Sequence, residues 1–376
     1  MGAPLLPQSQ ALLEVRSMAW SFRLLTVAGT EVRIHVTFLL LLAWFGAIQW
    51  MQSGPQSAVS AIVFILLLFL CVVLHEFGHV FAARRYGIRT PTVTVLPIGG
   101  LASLERMPEK PAQEIVVALA GPAVNVVIAL VLLVILGGRL NASDLDFLQD
   151  PGSNMLARIA MANVVLVVFN LIPAFPMDGG RVLRALLAIP FGFVKATRLA
   201  AFVGQVFAIF LGLVGLMGNP LLVLIAVFVY LAATAESQFV EMRSLARGYL
   251  ARDAMITSYE KLEPNSTADD AAALLLRTTQ QEFPVLDSAA RLQGIVTRDG
   301  LIQVLREKGG STPVSEFMET DIPVVTGSAC LENVIQVLQQ KRAHAVAVAG
   351  PDQRLAGFIT PENFAEVMMV GRARQR

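Results

Sequence analysis

The sequence predicts a polytopic α-helical membrane protein with a soluble α+β domain at its C-terminal end, and three observations lead to this fold class. The 376-residue chain is 55% hydrophobic and has a mean hydropathy of +0.64. Only 15% of its residues are charged, whereas a soluble globular protein carries about 25%. The long apolar runs lie between Val36 and Glu236, and the sequence after them has the composition of an ordinary soluble domain. That C-terminal part spans roughly 135 residues, which suffices for one compact domain.

Charge and cysteine content exclude a nucleic-acid partner and a disulfide framework. The formal net charge is +1, so nothing indicates binding to a polyanion. Cys71 lies inside an apolar run and Cys330 in the soluble part, so we expect no disulfide between them. Residues 1–35 contain only a short apolar stretch without a small-residue cleavage site. They are predicted to be a cytosolic N-terminal segment and not a cleaved signal peptide.

Six apolar segments are predicted to cross the membrane, because a helix needs about 20 mostly apolar residues to do so. They are residues 36–50, 58–83, 112–136, 155–175, 197–217 and 220–235. After the second span, residues 92–104 alternate like a strand, with turn residues at 97–100. This pattern predicts a β-hairpin, and the alternative is a plain cytosolic linker.

The distribution of Lys and Arg predicts the orientation in the membrane. Basic residues flank one set of span ends: Arg16, Arg23, Arg33, Arg84, Arg85, Arg89, Arg181, Arg184, Lys195, Arg198, Arg243, Arg247 and Arg252. The opposite loops hold a single basic residue, Arg139. We therefore expect the N-terminus and the soluble domain to face the cytosol. The expected location is a prokaryotic inner membrane, with a plastid membrane as the alternative.

The second span ends in a motif with metal-ligand spacing, His75-Glu76-Phe77-Gly78-His79. Positions i and i+4 share one helical face, so both imidazoles can hold one Zn²⁺ while Glu76 serves as general base. The alternative is a chance match. Unpartnered ionisable groups inside a bilayer are costly, however, and mark functional sites.

A catalytic zinc needs a third protein ligand, and Asp178 is the best candidate. It is the only carboxylate between Asp150 and Glu236, and it follows the fourth span. Pro173 and Pro176 interrupt the helix just before it, which lets the chain bend towards the metal. The alternative is a helix-terminating turn at Asp178-Gly179-Gly180, and one residue can serve both roles.

Taken together, these motifs resemble those of the site-2 protease family of intramembrane metalloproteases. The family pairs a His-Glu-x-x-His motif with a distal Asn-x-x-Pro-x-x-x-x-Asp-Gly motif, which stands here at Asn170, Pro173, Asp178 and Gly179. Further matches are Gly121-Pro122-Ala123-Val124-Asn125 and Pro97-Ile98-Gly99-Gly100. The resemblance covers about residues 29–235.

The resemblance implies that His75, His79 and Asp178 bind one Zn²⁺ and that Glu76 activates water. It implies hydrolysis of a transmembrane protein substrate, such as an anti-sigma factor, a membrane-tethered transcription regulator or a signal-peptide remnant. It also favours a hairpin inserted in the membrane.

Five residues are candidate substrate contacts. Gly99 and Gly100 lie on a strand whose edge could pair with extended substrate. Asn170 could orient substrate or stabilise an oxyanion, or make a structural hydrogen bond. Pro173 belongs to the same motif. Asn125 is a further candidate, although close packing of the third span explains it as well.

The soluble domain contains an internal repeat with a shift of 63 residues. Gly294-Ile295-Val296-Thr297 aligns with Gly357-Phe358-Ile359-Thr360, and Asp299 aligns with Glu362. Each copy is predicted to fold as strand, helix, strand, turn, strand and helix. The repeat resembles a pair of cystathionine-β-synthase (CBS) domains, over about residues 251–370.

The CBS resemblance implies that ATP or another adenine nucleotide contacts Thr297, Asp299 and Thr360. Glu362 replaces the aspartate in the second copy and puts that site in doubt. The alternative is a module for docking or homodimerisation without a ligand. The expected domains are a transmembrane protease at 36–240, a linker at 241–250, and CBS domains at 251–310 and 311–376, the latter with a basic tail.

Two further hypotheses for the whole chain stay open beside an intramembrane zinc endopeptidase. One is a transporter or channel gated by CBS domains. Such a protein would have inverted repeats and polar groups at mid-membrane, and the spans contain no repeat. The other is an inactive relative that binds client helices, which the joint presence of His75, Glu76, His79 and Asp178 disfavours.

Overall fold

A computed structural model describes residues 21–96, 99–103, 108, 110–138 and 154–374. The chain forms two compact units, Met1–Gln238 and Phe239–Arg376. The N-terminal segment before residue 21, the turn residues 97–98, the loop at 139–153 and the last two residues of the basic tail lie outside the described part.

Seven helices form the body of the first unit as far as it is described. They are α1 (Val36–Ser53), α2 (Pro55–Arg85), α3 (Pro111–Ile135), α4 (Met155–Asn170), α5 (Asp178–Phe191), α6 (Phe193–Leu216) and α7 (Pro220–Ala246). Five of them, α1, α2, α3, α6 and α7, are long and apolar enough to cross a membrane. The predicted linker at 241–250 is helical up to Ala246, since α7 ends there.

The fourth predicted span, at 155–175, differs from the structure. Helix α4 has only 16 residues and ends at Asn170. Pro173 and Pro176 follow within six residues and cannot donate a backbone hydrogen bond, so the helix cannot continue. The chain instead turns and starts α5 at Asp178. That helix was not predicted, because Gly179, Gly180 and its charges resemble a loop.

A four-stranded sheet accompanies the helices. Its strands are β1 (Ser21–Val27), β2 (Thr30–His35), β3 (Thr92–Leu96) and β4 (Gly99–Ser103), in the order β1-β2-β3-β4. Strands β3 and β4 form the predicted hairpin, whereas the β1–β2 hairpin in the N-terminal segment was not predicted. The pairs β1–β2 and β3–β4 are antiparallel, and β2–β3 is parallel.

One face of this sheet packs on the helices. Val32 of β2 and Val93 and Val95 of β3 are buried in one apolar cluster with Phe38 of α1 and Phe69 of α2. Phe77 of the His-Glu-x-x-His motif belongs to the same cluster, so the sheet lies at the end of α2 that carries this motif.

The second unit has the predicted repeat, except that the leading strand is present only in the second copy and is reduced in the first to a single bridge between Leu262 and Val285. Its elements are α8 (Ala251–Ala254), α9 (Ala268–Arg277), β5 (Glu282–Leu286), β6 (Leu292–Thr297), α10 (Arg298–Glu307), a 3₁₀ turn (Val314–Glu316), β7 (Val324–Thr326), α11 (Leu331–Lys341), β8 (Val346–Ala349), β9 (Leu355–Ile359) and α12 (Pro361–Arg374). Helix, two antiparallel strands and helix recur in the same order in both copies.

The two copies exchange backbone pairs in a reciprocal way. Ile256, which precedes the first copy, pairs with Phe358 in the second copy, and Glu319, which precedes the second copy, pairs with Ile295 in the first. Each pair maps onto the other with the 63-residue shift. Gly294 allows the approach in the first copy, because a Cβ there would lie 2.7 Å from the Glu319 carbonyl oxygen. The copies thus form one intertwined module.

Candidate metal centre

Three side chains from two distant parts of the chain meet in the first unit. His75 and His79 lie one turn apart on α2, and Asp178 is the first residue of α5. The Asp178 Oδ2 atom is 3.2 Å from His75 Nε2 and 3.1 Å from His79 Nε2, and the two nitrogens are 3.1 Å apart. All three side chains are buried. The structure therefore brings together the two histidines that the spacing selects and the carboxylate that was the best candidate for the third ligand.

The triangle of donor atoms has the size that zinc requires. With bonds of about 2.0 Å, the ligand atoms of a tetrahedral zinc site stand about 3.3 Å apart. Two imidazole nitrogens and one carboxylate oxygen are also a donor set that zinc accepts in catalytic sites. Both the geometry and the chemistry of these residues fit one Zn²⁺.

A backbone carbonyl fixes the orientation of the His79 ring. The Nδ1 atom of His79 lies 2.7 Å from the Val117 carbonyl oxygen on α3. A carbonyl oxygen can only accept, so Nδ1 must carry the proton and donate it. The lone pair of Nε2 then points to the centre of the triangle, as in other metal sites with oriented histidines.

Glycines let the neighbouring elements approach this centre. A Cβ on Gly121 of α3 would lie 2.3 Å from His79 Nε2 and 2.7 Å from His75 Nε2. A Cβ on Gly78 of α2 would lie 2.5 Å from the Ala120 carbonyl oxygen, so α2 and α3 pack with their backbones close together. Gly179 has the same role beside Asp178, because its Cβ would meet the Ile172 carbonyl oxygen at 2.3 Å.

Glu76 stands outside the triangle, beside the sheet. It is half-buried and lies within electrostatic range of His75, His79 and Asp178. The β4 backbone passes directly over it, since a Cβ on Gly100 would lie 2.5 Å from Glu76 Cγ and 3.0 Å from its Oε1. Gly100 is thus adjacent to the carboxylate that the motif predicts as the base.

The other predicted substrate contacts have different surroundings. Asn170 is the half-buried last residue of α4, and Pro173 is exposed in the turn before α5. Asn125 is fully buried on α3, and neither its Nδ2 nor its Oδ1 has a hydrogen-bond partner among the residues that the structure describes.

Sequence reasoning missed a buried ionic cluster that holds α5. Arg184 is 1% exposed and is 2.6 Å from the Glu114 carboxylate on α3 and 2.5 Å from Glu236 on α7. Its guanidinium also lies over the rings of Phe175 and Phe193. The signal was one acidic residue, Glu114, within a predicted apolar span, whereas Arg184 was interpreted only as a charge of a cytosolic loop.

In the second unit, the predicted nucleotide contacts lie at helix starts. Thr297 caps α10 by accepting from the Gly300 amide, and Thr360 accepts from the Asn363 amide in α12. Both threonines are buried. Asp299 in the first turn of α10 is 79% exposed and has Arg298 as its neighbour at 3.2 Å.

Comparison with known proteins supplies the deciding observation. The sequence profile of peptidase family M50 matches residues 63–141 and 146–214, and the CBS domain profile matches residues 251–307. A zinc metalloprotease from Methanocaldococcus jannaschii is 31% identical over 354 residues, which cover 94% of this chain and 97% of that protein. The chain belongs to peptidase family M50.

Other similarities of this M50 protein extend over parts of the chain. Stage IV sporulation protein FB of Bacillus subtilis is 27% identical over 62% of this chain and 76% of its own length. A CBS domain-containing protein of the same organism is 28% identical over 29% of this chain and 77% of its own length. The solved site-2 protease from Methanocaldococcus jannaschii is 35% identical, with 58% of this chain and 95% of that one covered at a TM-score of 0.45.

These findings confirm the predicted class of protein. The chain is a zinc metalloprotease of family M50 and an integral membrane protein with several apolar helices. Its C-terminal unit is a pair of CBS domains, since the profile matches the first copy and the second repeats its elements.

Proposed function

We propose that this M50 protein is an intramembrane endopeptidase that hydrolyses a peptide bond in or near the transmembrane segment of a membrane protein. The observation that carries the proposal is the triangle of His75, His79 and Asp178, with Glu76 beside it at the end of an apolar helix. Hydrolysis requires water, so the proposal implies that water reaches this end of α2.

His75, His79 and Asp178 would hold the zinc ion, and the hydrogen bond from His79 to the Val117 carbonyl keeps one imidazole in the required orientation. When bound, zinc supplies a Lewis acid for the scissile carbonyl and lowers the pKa of water to about 7. Glu76 takes the proton from the attacking water and delivers it to the leaving amine. Its Oε1 beside Gly100 faces the strand along which substrate would lie.

Strand β4 is the proposed docking edge for substrate. It lies at one edge of the sheet in the described part of the chain, and Gly100 brings its backbone against Glu76. A helical substrate hides its carbonyls in i→i−4 hydrogen bonds and must unwind before attack. Pairing with a strand edge provides those hydrogen bonds to the extended form. Gly99, Gly100, Asn170, Pro173 and Asn125 remain the proposed substrate contacts.

The proposed orientation has the N-terminus and the CBS pair in the cytosol of a prokaryotic cell. Arg84 and Arg85 end α2 and Arg243 follows the last apolar segment, which agrees with the rule that basic residues face the cytosol.

We further infer that the CBS pair binds an adenine nucleotide next to the exposed Asp299. A homodimer through this unit is the accompanying proposal, and the exposed Leu276 on α9 supports it.

Replacement of the proposed base tests the assignment. Glu76→Gln keeps the ligands, so purified protein should retain one zinc per chain, while cleavage of single-span proteins in the same proteoliposomes should fall by about 10²–10⁴-fold. Glu263→Gln, at an exposed carboxylate of the second unit, is the matched control. Undiminished cleavage in Glu76→Gln would exclude Glu76 as the base. Solute transport by a wild-type protein that cleaves nothing would favour the channel hypothesis.

A further inference from the structure

Strand β1 carries exposed apolar side chains on the face of the sheet that is turned towards the helices. In antiparallel strands, paired residues share a face. Phe22 pairs with Ile34, and Leu25 pairs with Val32. Val32 and Ile34 belong to the cluster that packs on α1 and α2, so Phe22 and Leu25 extend the same apolar face.

At β1, no helix of the described part of the chain covers that face enough to bury its side chains. The exposed fractions are 59% for Phe22, 61% for the bulged Leu24, 44% for Leu25 and 38% for Val27. The sheet therefore projects past the helix bundle, and we call Phe22, Leu25 and Val27, whose pairing places them on this face, the overhang. Large apolar side chains exposed on one face indicate an interaction surface.

The opposite face of the same hairpin is polar. Arg23 pairs with Arg33, and Thr26 pairs with Glu31. Both arginines make ion pairs with Glu31, at 3.3 Å from Arg23 and 2.8 Å from Arg33. The hairpin is thus amphipathic, with charges on one side and the overhang on the other.

Both ends of the hairpin are tied to ends of membrane-spanning helices. Strand β2 runs directly into α1, whose N-cap is His35. At the other end, Arg84 in the last turn of α2 donates to the Ala28 carbonyl in the β1–β2 turn at 2.8 Å. The hairpin is therefore held at the ends of two helices that are long and apolar enough to cross a membrane.

We infer that the overhang is an interfacial lipid anchor, in which Phe22, Leu25 and Val27 insert into the boundary between headgroups and acyl chains. An apolar face backed by arginines fits such a boundary. Three strand spacings of about 4.8 Å separate β1 from β4, so the anchor fixes the depth at which β4 meets the metal centre. This last consequence rests on the proposed function, whereas the anchor itself does not.

Spin labels on the two faces of β1 test the anchor in the full-length protein. Single cysteines at positions 22, 25 and 27, in a background with Cys71→Ser and Cys330→Ser, would be labelled in phosphatidylcholine–phosphatidylglycerol vesicles. Collision with oxygen reports the lipid environment, and collision with a nickel chelate reports water. We expect oxygen accessibility to exceed nickel accessibility several-fold at these three positions.

Arg23→Cys and Thr26→Cys are the matched controls, since they lie on the same strand but on its polar face. They should show the opposite ratio. Nickel accessibility at 25 and 27 equal to that at 26 would place the overhang in water and overturn the anchor. Low accessibility to both reagents would mean that protein covers the patch, either a second copy or residues 1–20, and would overturn it as well. Neither signal depends on zinc or on cleavage. The anchor can therefore fail while the proposed protease activity holds, and the protease activity can fail while the anchor holds.

Discussion

At the scale of single residues, the metal centre depends on the close approach of the α3 backbone to α2 as much as on its ligands. Gly121 is the residue where this is most visible, because a Cβ there would occupy space next to both imidazole nitrogens. The sequence contains Gly121 in a family-like motif, but only the structure gives the reason for a glycine at that position.

We expect Gly121→Ala to reduce zinc binding to well under half an ion per chain. The added methyl group would lie 2.3 Å from His79 Nε2, so the ring or α3 must move, and a shifted ligand loses its bond to the metal. Metal analysis of the purified full-length protein would measure this. Gly212→Ala is the control, since its Cβ would meet Ala226 Cβ at an ordinary 3.4 Å. Full zinc content in Gly121→Ala would contradict the close approach.

A second prediction at this scale concerns Glu282, the first residue of β5, and the dependence of fold stability on pH. Burial raises the pKa of the Glu282 carboxyl to about 7, and the Glu362 carboxylate adds to this effect. Asp299 acts in the same direction, whereas His344 and Arg298 oppose it. A carboxyl group with a raised folded-state pKa stabilises the fold below about pH 4.5, and this contribution is lost as the pH rises through about 7.

Glu282→Gln should therefore slow hydrogen exchange of the β5–β6 amides at pH 8 and leave it unchanged at pH 4.5. After allowance for solvent screening, the gain at pH 8 is on the order of 1 kcal/mol. Mass spectrometry of the full-length protein, with variant and wild type compared at the same pH, measures it. Glu263→Gln should have no effect at either pH, and an equal effect in both variants would contradict the role of Glu282.

Side-chain chemistry made part of this centre predictable. His75, His79 and Asp178 could be selected because their residue types and spacing match zinc ligation, and the structure brings them together. The Val117 carbonyl and the approach of Gly100 to Glu76 could not be predicted. Both are contacts of the main chain, which leaves no signature in the sequence.

At the scale of elements, helix α5 is the part on which the third ligand depends. Its first residue is Asp178, and six positions later Arg184 joins it to α3 through Glu114 and to α7 through Glu236. Arg184 also lies 5.2 Å over the ring of Phe175, in the turn that leads to Asp178. We regard Arg184 as a positioning residue for that carboxylate.

Arg184→Gln should destabilise the membrane unit by about 3–5 kcal/mol, because it leaves the buried Glu114 carboxylate without its counter-charge. Zinc content should fall with it, since α5 loses its anchor. Thermal unfolding in detergent and metal analysis measure the two effects. Arg306→Gln, at a side chain that is 80% exposed, is the control.

The double variant Glu114→Gln/Arg184→Gln separates charge from packing. It removes the uncompensated charge, so it should recover part of the stability but not the position of α5, and zinc content should stay low. Recovery of zinc in the double variant would argue against Arg184 as a positioning residue.

The helices were predictable where a run of mostly apolar residues extends over the whole helix. Helices α2, α3, α6 and α7 begin within a few residues of the predicted spans. The end of α4 and the start of α5 were not predicted, because apolar residues continue from 165 to 175 past the end of the helix at Asn170. Strand β2 was missed since its partner β3 lies about 60 residues away in the chain, and β1 was missed with it because β1 pairs only with β2.

At the scale of the whole molecule, the composition changes once along the chain, from apolar to that of a soluble domain, and the two units differ in what they contain. The first unit holds the metal centre, and the second is a CBS pair whose copies interlock through Ile256 with Phe358 and Glu319 with Ile295. The repeat was predictable because duplication leaves the same residues at a constant shift. The interlocking was not, since it involves backbone pairs between the copies.

The last prediction concerns the nucleotide proposed for the second unit. Asp299 is exposed in the first turn of α10, a position from which its carboxylate could accept hydrogen bonds from a ribose. A hydrogen bond to a charged group contributes about 1.5–3 kcal/mol, so Asp299→Ala should weaken AMP or ATP binding by about 10–100-fold. Isothermal titration of the full-length protein in detergent measures this, and zinc content should not change because the metal ligands lie in the first unit.

Asp352→Ala is the control, at another exposed aspartate of the second unit, and this variant should bind the nucleotide as the wild type does. Equal nucleotide affinity in Asp299→Ala and Asp352→Ala would exclude Asp299 as a contact, and no binding by the wild type would leave the CBS pair as a docking module, because its intertwined fold does not need a ligand.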